Sequence, residues 1–225
     1  MPNLDFPFKI VRSKRKTAAI HVKANEVQVR IPHFVDDKWA INFLADKSTW
    51  VKQKLQQQNV HAQSIPKIKH NADILWQGRS VTLQFDQLAK AVSVFQQTLI
   101  IPAKNETQAL KLLQDFFQHQ AKHYMVIRTH EIAEQYGLSH KLYSIRFRRT
   151  KTKWGHCTSK GVIQYNWLIM GAPLSVIDYL IYHELSHLIH PNHSQAFWQH
   201  VEGMCPDYKN QQAWLKQNAM ALSWC

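Results

Sequence analysis

Apolar residues alternate with polar residues in the N-terminal part of the chain, and this alternation predicts short β-strands. Val27, Val29 and Ile31 show it most clearly, because single polar residues separate them. From position 35 to 58 the apolar residues instead recur at helical spacing. We therefore expect an N-terminal β-rich region with one helix over residues 1–104. Its predicted strands span 8–12, 17–23, 26–31, 72–76, 81–85 and 92–101.

Helical patterns dominate the rest of the chain. A helix is predicted to begin after Asn105 and to reach Tyr136. A strand is predicted over 142–152, with 161–165 as its hairpin partner, and a second, more apolar helix follows. We expect residues 105–225 to form a second region, either as a separate domain or continuous with the first.

The more apolar helix contains the motif His183-Glu184-x-x-His187. Residues four positions apart lie about 40° apart around a helix, so the two imidazoles can share one metal ion. Glu184 lies beside them and can take a proton from an attacking water, as zinc-dependent hydrolysis requires. Such histidine pairs also arise by chance on surfaces or in cores. A glutamate directly after the first histidine, within an apolar run, favours a metal site.

A third ligand is expected just beyond this helix, because zinc in hydrolases takes three protein ligands and leaves one position open. Pro191 ends the helix near His190, since a residue before proline disfavours helical geometry. His193 is then the first side chain able to return to the ion. Glu202 is the second candidate, and His200 is less favoured than either.

Composition and charge limit the setting of the chain. The N-terminus lacks a charged-then-apolar leader, and no apolar run approaches the roughly 20 residues that span a bilayer. The three cysteines are scattered, which favours a reducing compartment. We therefore expect a cytoplasmic protein without membrane association. The net charge of +13 is compatible with binding to nucleic acid, a membrane surface or an anionic small substrate, and equally with a solvated basic surface that has no specific partner.

Five of the 28 lysine and arginine residues lie in the predicted strand over 142–152 or just after it. Arg146 and Arg148 fall on one face, and Arg149, Lys151 and Lys153 on the other. A strand with charges on both faces is poorly suited to the middle of a core. We therefore expect it at the edge of a sheet or in the wall of a cleft.

Together these motifs resemble the YgjP-like family of zinc metallopeptidases. The resemblance rests on the 183–187 motif and on Pro191-Asn-His193-Ser-x-x-Phe197-Trp198. Three upstream segments support it, namely Arg12-Ser-Lys-Arg-Lys-Thr17, Trp154-Gly-x-Cys157 and Asn166-Trp167. One departure is His156, which stands where the family usually has a small serine.

The resemblance implies an α+β, zincin-like fold related to SprT-like proteins, with a mixed β-sheet packed on the metal-binding helix. It also implies one Zn²⁺ per chain, held by His183, His187 and His193, with Glu184 as the general base. The expected function is a zinc-dependent metallopeptidase that hydrolyses peptide or unfolded protein.

Two other functions remain open at this stage. The basic residues suit a nucleoside triphosphate, so a nucleotide pyrophosphatase using the same metal site is the main alternative. A nucleic-acid-associated zinc protein is the further alternative. Structural zinc sites are closed by four ligands and need no free carboxylate, so Glu184 argues against this last function.

Overall fold

A computed structural model describes residues 4–23 and 26–224, which form two compact units divided between Ser64 and Ile65. In the first unit the central strand is β3 (Glu26–Pro32), which pairs in parallel with β1 (Phe8–Ser13) and antiparallel with β2 (Ala19–Lys23). The three predicted strands are confirmed to within two residues. The alternating apolar residues of β3, Val27, Val29 and Ile31, are fully buried.

The first unit has two helices where one was predicted, α1 (Asp37–Asp46) and α2 (Ser48–Ser64). The Asp36 carboxylate caps α1 by accepting a hydrogen bond from the Trp39 backbone N–H at 2.6 Å. Ala40 and Leu44 of α1 are buried in the same core as β3. Helical spacing alone does not show the break at Lys47, because the apolar pattern continues across it.

The second unit begins with a four-stranded sheet in the order β4-β5-β7-β6. The single strand predicted over 92–101 is two strands, because the chain turns at Gln96 with φ of 52°. The strands are β4 (Asp73–Trp76), β5 (Arg79–Phe85), β6 (Ser93–Phe95) and β7 (Thr98–Ile101). The long helix α3 (Glu106–Gln135) follows, and the Asn105 side chain caps it. Leu83 and Leu99 of the sheet share one core with Leu113 of α3, so the expected boundary at 104/105 lies inside this unit.

A second sheet adjoins the C-terminal helices. Its central strand is β10 (Val162–Tyr165), which pairs in parallel with β8 (Ser144–Phe147) and antiparallel with β9 (Gly155–Cys157). The predicted hairpin between 142–152 and 161–165 is therefore wrong, since β9 is the hairpin partner. The chain leaves the sheet after Phe147, which shortens the predicted basic strand to four residues.

The C-terminal helices are α4 (Leu174–Ser186), α5 (Gln195–Met204) and α6 (Tyr208–Asn218), and short 3-10 helices occupy Ser139–Lys141 and Trp167–Gly171. Helix α4 contacts α3, α5, α6 and strand β9, and is largely buried. The predicted α+β class, with a mixed sheet against the motif-bearing helix, is confirmed. The helices of the described residues are all too short or too polar to span a bilayer.

Candidate metal centre

The last turn of α4 and the loop after it bring three imidazoles together. Helix α4 ends at Ser186, and hydrogen-bonded turns continue to His190 before Pro191. Ser194 then caps α5 by accepting a hydrogen bond from the Phe197 backbone N–H at 3.4 Å. This reversal returns the intervening loop to the end of α4, as the position of the proline predicted.

One nitrogen from each of His183, His187 and His193 lies within 4.8 Å of the other two. The Nε2 atoms of His183 and His193 are 3.1 Å apart. Burial and the two neighbouring imidazoles lower the pKa of His183 to about 3, and burial also lowers the pKa of His187. Neutral imidazoles keep a lone pair for a cation, so this set fits a metal ion that takes nitrogen ligands.

Side chains of α5 pack against the three rings. The ring centroid of the fully buried Phe197 lies 4.9, 4.5 and 4.8 Å from those of His183, His187 and His193 respectively. Trp198 stacks on His193 at 5.6 Å with an interplanar angle of 23°. Both aromatic residues lie on the helix that Ser194 caps, as the sequence indicates. Their spacing from the capping Ser194 was the signal for their packing role.

Glu184 lies beside the histidines and is only 3% exposed. Its Oε2 atom is buried, as is Nδ1 of His183, and neither has a hydrogen-bond partner among the described residues. Burial raises the pKa of Glu184 to about 8, and the nearby charge of Lys153 opposes this effect. An uncompensated carboxylate beside three converging nitrogens is typical of a site that binds a cation.

These residues line a cavity of about 620 Å³. Strand β9 and the residue before it, Trp154, form one wall, and Lys153 is the basic residue that reaches the lining. Arg146, Arg148, Arg149 and Lys151 are exposed but are not part of the lining. Of the two predicted positions, the sheet edge is confirmed, because β8 is a terminal strand of its sheet, whereas these four cations do not line the cleft. The chain leaves the sheet at this stretch, and the shorter β9 takes the place beside α4.

The other candidate ligands lie apart from the three histidines. The His200 Nδ1 atom is 3.0 Å from the Ser186 hydroxyl, and the His200 ring packs against His190. Glu202 is exposed on α5. His156 lines the cavity on β9, opposite Gln164, without joining the cluster.

The cavity also contains a cysteine, Cys157 of β9. Burial, together with the charge of Glu184, raises its pKa to about 12, so the thiol stays protonated. Cys157 and Cys205 are both free thiols, and Cys225 lies outside the described residues. The cavity thiol is therefore poorly suited to act as a nucleophile.

Comparison with known proteins places the chain in a family. The family model "YgjP-like, metallopeptidase domain" matches residues 16–218. None of the curated proteins matches the chain. Among solved structures, the metallopeptidase zymogen of Pyrococcus abyssi abylysin is similar, at 22% identity and a TM-score of 0.36, over 40% of this chain and 90% of that one. With the family model spanning most of its length, the chain belongs to the YgjP-like family and contains its metallopeptidase domain.

Proposed function

We propose that the chain is a zinc-dependent peptidase in which His183, His187 and His193 hold the ion and Glu184 is the general base. The observation that carries the proposal is the convergence of three imidazole nitrogens beside a buried carboxylate in an open cavity. Three protein ligands leave a coordination position for chemistry, whereas structural zinc sites are closed by four. Membership of a metallopeptidase family supports the same reaction class.

Zinc is the ion that this ligand set suits best, because imidazole is a borderline ligand and, among the residues that the structure describes, no carboxylate or thiolate joins the cluster. When bound, it supplies Lewis acidity that polarises a carbonyl and makes a water molecule acidic near neutral pH. The residues of the chain then control the position of the substrate and the movement of protons.

Glu184 is suited to the proton transfer. Burial raises its pKa and so favours uptake of a proton, and its Oε2 atom has no hydrogen-bond partner within the described part of the chain. The carboxylate therefore accepts a proton from the attacking water and returns it to the leaving amine. The neighbouring wall, β9, is a terminal strand of its sheet in the part of the chain that the structure describes, so an extended peptide can pair with its outer edge.

A nucleoside triphosphate is the second candidate substrate. Lys153 lines the cavity, and its charge acts on Glu184. The exposed cations Arg148, Arg149 and Lys151 precede it in the sequence. Cations beside a Lewis acid suit hydrolysis of a phosphoanhydride as well as of a peptide. Binding of nucleic acid by the same residues remains a prediction from their charge alone.

The decisive experiment is an assay of the zinc-loaded protein against unfolded protein, peptides and nucleoside triphosphates. Chelated protein is the control, and zinc should restore its activity. Peptide hydrolysis that depends on zinc supports the proposal. Zinc-dependent release of diphosphate, without peptide cleavage, replaces it with the second candidate, and inactivity on every substrate contradicts both.

A further inference from the structure

The carboxylate of Glu184 lies where a side chain at position 155 would be. A β-carbon built on Gly155 would lie 2.2 Å from Oε1 of Glu184, 2.5 Å from Cδ and 2.7 Å from Cγ. These separations are well inside van der Waals contact, which for two carbon atoms is about 3.5–4.0 Å. Any residue other than glycine at the start of β9 therefore displaces the glutamate.

We infer that Gly155 is a positioning residue for Glu184, and this inference rests on the proposed function. The bare backbone of β9 forms one wall of the space in which the carboxylate lies. The wall holds the general base next to the three histidines. Gly155 itself contacts neither the ion nor the substrate in this role.

Packing is well placed to set the position of Glu184, because its buried Oε2 atom has no hydrogen-bond partner in residues 4–23 and 26–224. A glutamate side chain has three rotatable bonds, and hydrogen bonds or steric walls must select one arrangement. At 3% exposure the side chain is enclosed, and the backbone of Gly155 is part of that enclosure.

The start of β9 is itself held firmly. Gly155 pairs with Tyr165 of β10, and the side chain of Tyr165 is fully buried. The buried Asn166 donates from its backbone N–H to the Trp154 carbonyl at 2.7 Å, and from Nδ2 to the Thr150 carbonyl at 3.1 Å. The segments Trp154-Gly-x-Cys157 and Asn166-Trp167 therefore help to position Glu184, although they are distant from the 183–187 motif in the sequence.

The Gly155→Ala variant tests this role. It should fold, because the displaced group is a side chain that borders a cavity of about 620 Å³. Zinc stoichiometry and KM should match those of the parent protein. The value of kcat should fall about a hundredfold, because a small displacement of a catalytic group costs about this much in rate. The matched control is Gly203→Ala, since a β-carbon on Gly203 of α5 meets nothing within 4 Å. It should keep the parent kcat.

A double-mutant cycle on the thermal midpoint gives a readout that needs no substrate. Gly155→Ala should lower the midpoint of the parent but leave that of Glu184→Ala unchanged, because the colliding side chain is gone. If Gly155→Ala lowers the thermal midpoint equally in the parent and in Glu184→Ala, the inference is overturned. Full activity of zinc-loaded Gly155→Ala, when Glu184→Gln is inactive, also overturns it. Full activity of zinc-loaded Glu184→Gln instead overturns the proposed function.

Discussion

The Nδ1 atom of His187 donates a hydrogen bond to the carbonyl oxygen of His190, 3.0 Å away. A carbonyl can only accept, so the proton of this imidazole is on Nδ1 and the lone pair is on Nε2. Metal-binding histidines are usually oriented by such an acceptor. The turn that ends α4 therefore also selects the tautomer that His187 needs as a ligand.

The first prediction concerns the number of zinc ions and their ligands. Wild-type protein should bind one zinc per chain, and His193→Ala should lose most of it, because the two remaining histidines hold the ion weakly. Glu202→Ala should keep its zinc. Elemental analysis after gel filtration measures the zinc content of both variants. If His193→Ala keeps its zinc and Glu202→Ala loses it, the third ligand is the Glu202 carboxylate and not His193.

Glu184→Gln tests the general base. The substitution keeps the size of the side chain but removes its ability to accept a proton. The variant should bind zinc normally, melt near the parent temperature and lose at least about a hundredfold in kcat. Loss of zinc or unfolding would instead identify Glu184 as a ligand or a structural group.

Salt dependence tests the basic stretch. If Arg148, Arg149 and Lys151 help to bind an anionic substrate, its apparent affinity should fall steeply as ionic strength rises. Lys153→Ala should then raise KM for that substrate, since Lys153 lines the cavity. Lys160→Ala is the control, as Lys160 is exposed and lies outside the lining. A flat salt response would make the stretch an ordinary solvated surface.

Asp178 should stabilise α4 against α3. Its carboxylate accepts hydrogen bonds from the Tyr124 hydroxyl at 3.1 Å and from Arg128 at 2.9 and 3.1 Å. Asp178→Ala should lower the free energy of unfolding by about 2 kcal/mol, because it leaves a partly buried arginine without its main partner.

Urea denaturation measures this loss, and Glu131→Ala is the matched comparison. Glu131 pairs with the same arginine at 3.2 Å, but its side chain is 57% exposed. Exposed pairs contribute little, so its loss should stay below about 0.5 kcal/mol. Equal losses for the two variants would show that burial of the Asp178 pair is unimportant.

Local patterns in the sequence identified most of the candidate site. The cluster of His183, His187 and His193 follows from helical periodicity and from one proline, which act over only eleven residues. The four-residue spacing of His183 and His187 indicated that they share one face, and Pro191 indicated that the chain turns back toward them.

Features that depend on distant parts of the chain were not predictable in this way. The parallel pairing of β8 with β10, and the contact between Gly155 and Glu184, join segments that no local periodicity connects. The boundary between the two units at Ser64 was not predictable either. It depends on whether the strands between 73 and 101 pack in the core of the first unit or of the second.

The stacking of Trp198 on His193 gives the protein an optical reporter of its own. The indole centroid also lies 5.7 Å from that of His183, so an ion held by these imidazoles would lie close to the fluorophore. Co²⁺ or Cu²⁺ in place of zinc should quench its emission strongly, and Trp198→Phe should remove that part of the quenching. Metal loading can then be titrated by fluorescence before any substrate is identified.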